Sequence, residues 1–333
     1  MNRVSGAGTL ILAAADVRAM LDIATCVNAV EVAFRKLALG DVIAPAVLGT
    51  HVPDGGFHVK TAGMRGQRFY YVAKINANFP RNPATRGLPT IQGVIALFDA
   101  ESGEVLALLD SIEITALRTA AASAVAARHL APAGAHRVTI IGCGTQGQHH
   151  AHAMLHVRPV SHIRLADRDR RAAERLARAL TLELPVRVEV VDDHRAAARD
   201  SDIVVACTSA REPVLDFEDL PVGGFVAAVG ADSEDKQEIT TRAMARCAVV
   251  VDILDQCAAF GELHHAITAR AMSRDDVRAD LGTVVSGGAT DRFARGETIL
   301  FDSTGTALQD VAAAAIVYER ALLAGSAPIR LGD

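Results

Sequence analysis

The feature that most constrains this chain is the stretch Val138-Thr139-Ile140-Ile141-Gly142-Cys143-Gly144-Thr145-Gln146-Gly147. A short β-branched run reads as a buried strand, and the glycines after it fall in the GxGxxG spacing that opens a helix in dinucleotide-binding units. Gly142 permits the tight turn, Gly144 lets backbone approach a pyrophosphate, and Gly147 lets the helix press on the strand. The helix start at Thr145 and Gln146 offers unpaired N–H groups to phosphate. Asp167 closes the next predicted strand, about 20 residues after Gly147. A carboxylate there accepts hydrogen bonds from both ribose hydroxyls and repels a 2′-phosphate. This favours NAD, while Arg168 and Arg171 keep NADP open as a second cofactor.

The surrounding pattern fits the same reading. Strand candidates at 138–141, 163–166, 186–191, 203–206, 225–229 and 249–251 are short, apolar and β-branched, and they alternate with helices as in a buried parallel sheet. Upstream the pattern differs. Residues 16–39 read as one amphipathic helix on Val17, Met20, Leu21, Ala24, Val27, Val30, Phe34 and Leu37, with Gly40 as its stop. The period then changes to two. Strands at 46–52 and 57–62 flank Pro53-Asp54-Gly55-Gly56, a third covers 69–76, and 91–98 with 104–109 form a second hairpin. A helix over 112–130 starts from a capping-box-like Asp110 and Glu113 and ends at Pro132; its 119–123 stretch is small enough for close backbone packing. The alanine-rich helix at 307–323 needs a partner face, and the first domain is the nearest. The fold class is therefore α/β: a Rossmann-like doubly wound parallel sheet domain plus a discontinuous α+β domain. The expected domains are 121–306 for the dinucleotide and 1–120 with 307–333 for the rest.

Composition narrows the function classes. The net charge of −5 and the mixing of signs along the chain argue against nucleic acid or an anionic membrane as partner. Five scattered cysteines without a CxxC pair suit a reducing compartment, the cytoplasm, and disfavour a zinc site. The apolar stretch 9–15 is too short to span a bilayer. The run His149, His150, His152 reads as a solvated face or crevice lining. His264 and His265 are adjacent and point apart, so no metal site is expected. Ser111 and Cys143 have no recognisable base partner, which argues against nucleophilic catalysis.

Several stretches occur in a characteristic order: Ala73-Lys74-Ile75-Asn76, Leu117-Arg118-Thr119-Ala120-Ala121-Ala122-Ser123, the glycine fingerprint, Gly230-Ala231-Asp232 followed by Lys236-Gln237-Glu238, and Phe301-Asp302-Ser303-Thr304-Gly305-Thr306-Ala307-Leu308-Gln309-Asp310. Together they resemble the ornithine cyclodeaminase/mu-crystallin family from about residue 10 to about residue 325. The resemblance implies a homodimer built on the first domain, and hydride transfer at the α-carbon of an amino or imino acid. Three functions stay open under it: an amino acid dehydrogenase or imine reductase, an ammonia-releasing cyclodeaminase that recycles NAD, and a non-catalytic NAD(P)-dependent binding protein of mu-crystallin type.

The resemblance also implies site residues. Asp232 matches the family's catalytic Asp and follows a predicted strand end. By position alone it fits equally an acid/base and the N-cap of a helix over 233–238. Lys74 matches a substrate-contacting Lys; the alternative is an edge-strand lysine reaching solvent. Arg118 carries a fork suited to a carboxylate, the alternative being a structural ion pair, for example with Glu113. His58 stands where ornithine cyclodeaminases are expected to carry a Glu, and no Arg occurs near Val47 to hold the carboxylate. Lys60 could replace that cation from a neighbouring strand, the equal alternative being an exposed strand lysine. The candidate catalytic residues are thus Asp232 and Lys74, and the substrate-binding residues Arg118, Lys60 and His58. The cofactor-binding residues are Gly142, Gly144, Thr145, Gln146, Gly147, Asp167, Arg168 and Thr119.

Overall fold

The computed structural model describes residues 8–289 and 293–330, and the chain divides into two compact units. The first comprises Met1–Arg118 with Thr306–Asp333, the second Thr119–Gly305. The first unit opens with a short strand, β1 (Leu10–Leu12), which had no counterpart in the sequence pattern. Two helices follow, α1 (Ala14–Met20) and α2 (Ile23–Ala38), where the periodicity suggested one. The break has a local cause: Asp22 adopts extended backbone and its side chain accepts a hydrogen bond from the Thr25 amide, starting a new helix. The stripe Cys26, Val27, Val30, Ala33 and Phe34 on α2 is buried.

Next come β2 (Val42–Val52), β3 (Gly55–Arg65) and β4 (Phe69–Asn78), the short helix α3 (Asn82–Arg86), β5 (Ile91–Asp99) and β6 (Val105–Asp110). β3 starts earlier than expected because Gly55 and Gly56 belong to it, leaving Pro53-Asp54 as the turn, with Asp54 at φ +64°. The six strands pair in the order β1-β6-β5-β4-β3-β2, antiparallel except for β1 on β6.

Helix α4 (Ser111–Leu130) starts where the Asp110 carboxylate accepts from the Ile112 and Glu113 amides, and the unit boundary falls within it, after Arg118. The second unit then alternates β7 (Arg137–Ile141), α5 (Thr145–Val157), β8 (His162–Ala166), α6 (Arg170–Glu183), β9 (Arg187–Val190), α7 (His194–Arg199), β10 (Ile203–Ala206), β11 (Phe225–Ala228), α8 (Thr241–Arg246), β12 (Ala248–Val251), α9 (Leu254–Phe260), α10 (Glu262–Thr268), β13 (Ala279–Asp280), α11 (Leu281–Val285) and β14 (Ile299–Asp302). All eight strands are parallel, in the order β13-β12-β14-β11-β10-β7-β8-β9. Strand order reverses between β7 and β10, and ligands of open α/β sheets bind at the carboxyl ends beside such a reversal. β14 was not expected as a strand, yet it lies inside the sheet between β11 and β12. The chain then returns to the first unit in α12 (Ala307–Leu323), whose alanine face packs on α2, β3 and β4.

Candidate active site

The fingerprint glycines behave as their spacing requires. Gly142 sits at φ +103°, and a Cβ there would lie 2.7 Å from the Cys207 carbonyl oxygen. A Cβ on Gly147 would lie 2.3 Å from the Gly142 carbonyl oxygen, so any side chain would push α5 off β7. Gly144 caps α5 without a side-chain hydrogen bond, and the space a Cβ would take is open to 4 Å. The first turn of α5, beginning at Thr145, has amides without intrahelical partners, and no cap side chain takes them. Asp167 follows β8 directly. Its Oδ2 accepts from the Cys143 amide at 2.7 Å and its Oδ1 from the Asp169 amide at 2.8 Å. Each carboxylate oxygen has a second lone pair, so Asp167 is fixed beside the glycine turn and still able to accept. The buried Gln146 Oε1 has no hydrogen-bond partner, an acceptor that a bound ligand's donor would satisfy. These features fit a dinucleotide. The Cys143 thiol is pushed up to about 12 by burial and the nearby Asp167, so it is no nucleophile at neutral pH.

Asp232 lies in the same unit, four residues after β11. No helix starts at Ser233, which removes the N-cap alternative; residues 233–235 form a bend and a turn. Instead the Asp232 carboxylate pairs with Lys236 Nζ at 2.5 Å, with about half of its side chain exposed. Its loop is anchored by Glu238, which sequence reasoning quoted without a role. The buried Glu238 carboxylate accepts from the Thr208 amide (2.6 Å), the Thr208 hydroxyl (2.7 Å) and the Gly230 amide (2.7 Å). It thereby ties the segment after β10 to the segment after β11. Glu262 in turn accepts from the Glu238 and Ile239 amides, and Asp302 from those of Glu262 and Leu263. Burial raises all three carboxyls, Asp302 to about 7.

The other candidate residues meet in the first unit. Lys74 on β4 is buried rather than reaching solvent, and so is Lys60 on β3, directly opposite it. Lys60 also lies opposite Val47, where the resemblance lacks its Arg, and His58 shares this face one pair further along, opposite Asn76. Lys74 Nζ approaches Asp310 Oδ2 to 2.7 Å, close enough for an ion pair though not aligned as a hydrogen bond. Arg118 is buried too. Its Nε donates to Asp310 Oδ1 at 3.2 Å and its Nη1 to Gln309 Oε1 at 2.8 Å. The structural ion pair weighed for Arg118 is therefore present, with Asp310 as its partner in place of Glu113, which pairs with Arg18. Lys74 is depressed to about 7, first by desolvation and then by Arg118, against the pull of Asp310. Asp310 and Gln309 were missed as site residues. The signal was present, since both end the quoted 301–310 stretch, but only folding brings α12 over β3 and β4.

His150 corrects the expectation of a solvated histidine run. It is fully buried, its two ring nitrogens reach the Gln146 carbonyl and Ser123 Oγ, and burial lowers it to about 4, a neutral core imidazole. Arg168 and Thr119 lie in the second unit with the fingerprint. Among the described residues, no group of three or more His, Cys, Asp or Glu side chains could hold a metal, and no helix is long and apolar enough to cross a membrane.

A model of the ornithine cyclodeaminase/mu-crystallin family matches residues 8–325. An uncharacterized cyclodeaminase of Sinorhizobium fredii is 40% identical over 300 residues, 89% of this chain and 90% of its own. Among solved structures, an archaeal alanine dehydrogenase dimer with bound NAD superposes with a TM-score of 0.90 at 33% identity, covering 95% of this chain and 97% of that one. The Δ1-pyrroline-2-carboxylate reductase of Thermococcus litoralis, in complex with NADH and L-proline, gives 0.91 at 27% identity, covering 96% and 99%.

Proposed function

The chain belongs to the ornithine cyclodeaminase/mu-crystallin family, and from that premise we propose that it is an NAD-dependent enzyme acting by hydride transfer at the α-carbon of an amino or imino acid, as a dehydrogenase or imine reductase. The observation that carries this reading is the buried meeting of Lys74 and Arg118 at one carboxylate, in a chain that also presents a dinucleotide fingerprint. NAD, when bound, accepts a hydride from Cα or returns it to an imine carbon. The α5 amides and Gly144 take the pyrophosphate, Asp167 the ribose hydroxyls, with Arg168 and Thr119 as further cofactor contacts. The guanidinium donors of Arg118 not taken by Asp310 and Gln309, together with the Lys74 ammonium, bind the substrate carboxylate, and Lys60 and His58 line the same face. Asp232 exchanges the proton of the substrate nitrogen.

The Sinorhizobium relative's name favours a cyclodeaminase as the second reading. Against a basic substrate such as ornithine stand Lys60 and His58, a cation and an imidazole where a distal ammonium would ask for a carboxylate. The assembly proposed is a homodimer. On the sheet face opposite Lys60 and Lys74, Leu48, Phe57, Ile75 and Val94 are exposed together, an apolar patch of the kind that marks an interface. Five free cysteines agree with a cytoplasmic location.

The test is a panel of amino acids with NAD, and of 2-oxo acids with ammonia or amines plus cyclic imines with NADH, followed by reduced-nicotinamide absorbance. Turnover of at least one α-amino or α-imino acid is expected; absence of turnover across the panel, with tight NAD binding, would make the chain a binding protein.

A further inference from the structure

The chain uses arginine for almost all its cations: only Lys36, Lys60, Lys74 and Lys236 are lysines. Two of these four are buried and face each other across β3 and β4. An arginine stays charged at any working pH, whereas a lysine can lose its proton once desolvated. A lysine at 74 is therefore a charge that its neighbours can switch, and those neighbours are identifiable. Lys60 faces it from β3, Arg118 from α4 and Asp310 from α12, while the Cys26 thiol of α2 lies within electrostatic reach of both Arg118 and Asp310. The two basic neighbours and burial oppose the ammonium; Asp310 opposes them. Asp310 is itself fully buried, and its two oxygens serve different cations: Oδ2 meets Lys74 Nζ at 2.7 Å and Oδ1 meets Arg118 Nε at 3.2 Å. The adjacent Gln309 takes the other end of the same guanidinium through Oε1.

We propose that Asp310 is a positioning residue: its carboxylate holds the Lys74 ammonium and the Arg118 guanidinium side by side and supplies the negative charge that favours the ammonium form of Lys74 before substrate arrives. The proposal rests on the reading that Lys74 and Arg118 bind the substrate carboxylate, but it makes a claim about the protein without substrate. A mere packing residue would fix α12 on the sheet and leave the titration of Lys74 to burial. A positioning carboxylate sets that titration, because an opposite charge at ion-pair distance shifts a neighbour by about 1–3 pH units.

The small number of lysines makes the measurement direct. Full-length chain labelled with 13C at lysine Cε has four resonances to follow, and Lys74→Met identifies the one sought. In the wild type the Lys74 signal is expected to titrate near 7. In Asp310→Asn it is expected at least about one unit lower. An unchanged midpoint in a folded Asp310→Asn would overturn the proposal. If that variant does not fold, Asp310→Glu decides. It keeps the charge, so a midpoint near the wild-type value supports the charge role, and a midpoint as low as that of a fully desolvated amine contradicts it. Kinetics separate this from the underlying reading. Arg118→Lys should raise KM at least about tenfold if the carboxylate is bound there. An unchanged KM removes the substrate reading while leaving the titration result standing; a raised KM with an unmoved Lys74 signal removes Asp310 alone.

Discussion

Asp232 and Lys74 carry separable expectations. Asp232→Asn keeps the volume and most hydrogen bonding of a half-exposed side chain, so folding and NAD affinity should persist. Because the amide cannot exchange the proton of a substrate nitrogen, kcat should fall about 100-fold or more. Stopped-flow turnover with a parallel cofactor titration checks both halves; near wild-type kcat would move the proton chemistry elsewhere. Lys74 makes a prediction about pH. Its folded value is depressed from an ordinary 10.5 to about 7, so between those values the unfolded chain binds the extra proton. Folding stability therefore rises with pH through that window on this group's account, and Lys74→Met should flatten the rise in denaturant titrations at matched pH. Activity runs the opposite way if the ammonium binds the carboxylate, with kcat/KM falling as pH climbs past about 7.

At the scale of elements, the β7 turn into α5 is the most exacting contact in the site. Gly147→Ala puts a methyl 2.3 Å from the Gly142 carbonyl oxygen, in backbone rather than in a flexible side chain. A stability loss of about 1–3 kcal/mol is expected, together with weaker NAD binding as α5 shifts; thermal unfolding and cofactor titration read the two effects, and a neutral variant would contradict the packing argument. This element was legible in the sequence because its constraints are local, set by three glycines within six residues. So was α12, whose limits follow its apolar period, and so was the Asp110 start of α4. The α1–α2 break was not, because a single Asp22 cap interrupts a stripe that otherwise continues in helical phase. Nor was β14, four residues long, whose neighbours β11 and β12 are fixed only when the sheet assembles. The missed site residues have the same origin. Asp310 meets Lys74 across 236 positions of chain, and no spacing rule reaches that far.

For the molecule as a whole, the proposed basis of cofactor choice is one charge at the end of β8. NADH should bind more tightly than NADPH, and Asp167→Ser should narrow or reverse that preference by removing the repulsion of a 2′-phosphate. Fluorescence titration of both reduced cofactors decides it. The exposed apolar face of the first unit predicts a dimer in light scattering at micromolar concentration, against the 35.0 kDa of one chain. The function proposed above makes one chemical statement, that a hydride moves between a nicotinamide and the α-carbon of an amino or imino acid. Isotope transfer tests it most directly. With NADH deuterated at its transferable position and the imine found in the substrate panel, the amino acid product should carry one deuterium at Cα, and Asp232→Asn should slow its appearance about 100-fold. Product without deuterium at Cα, or label at any other carbon, would contradict the account.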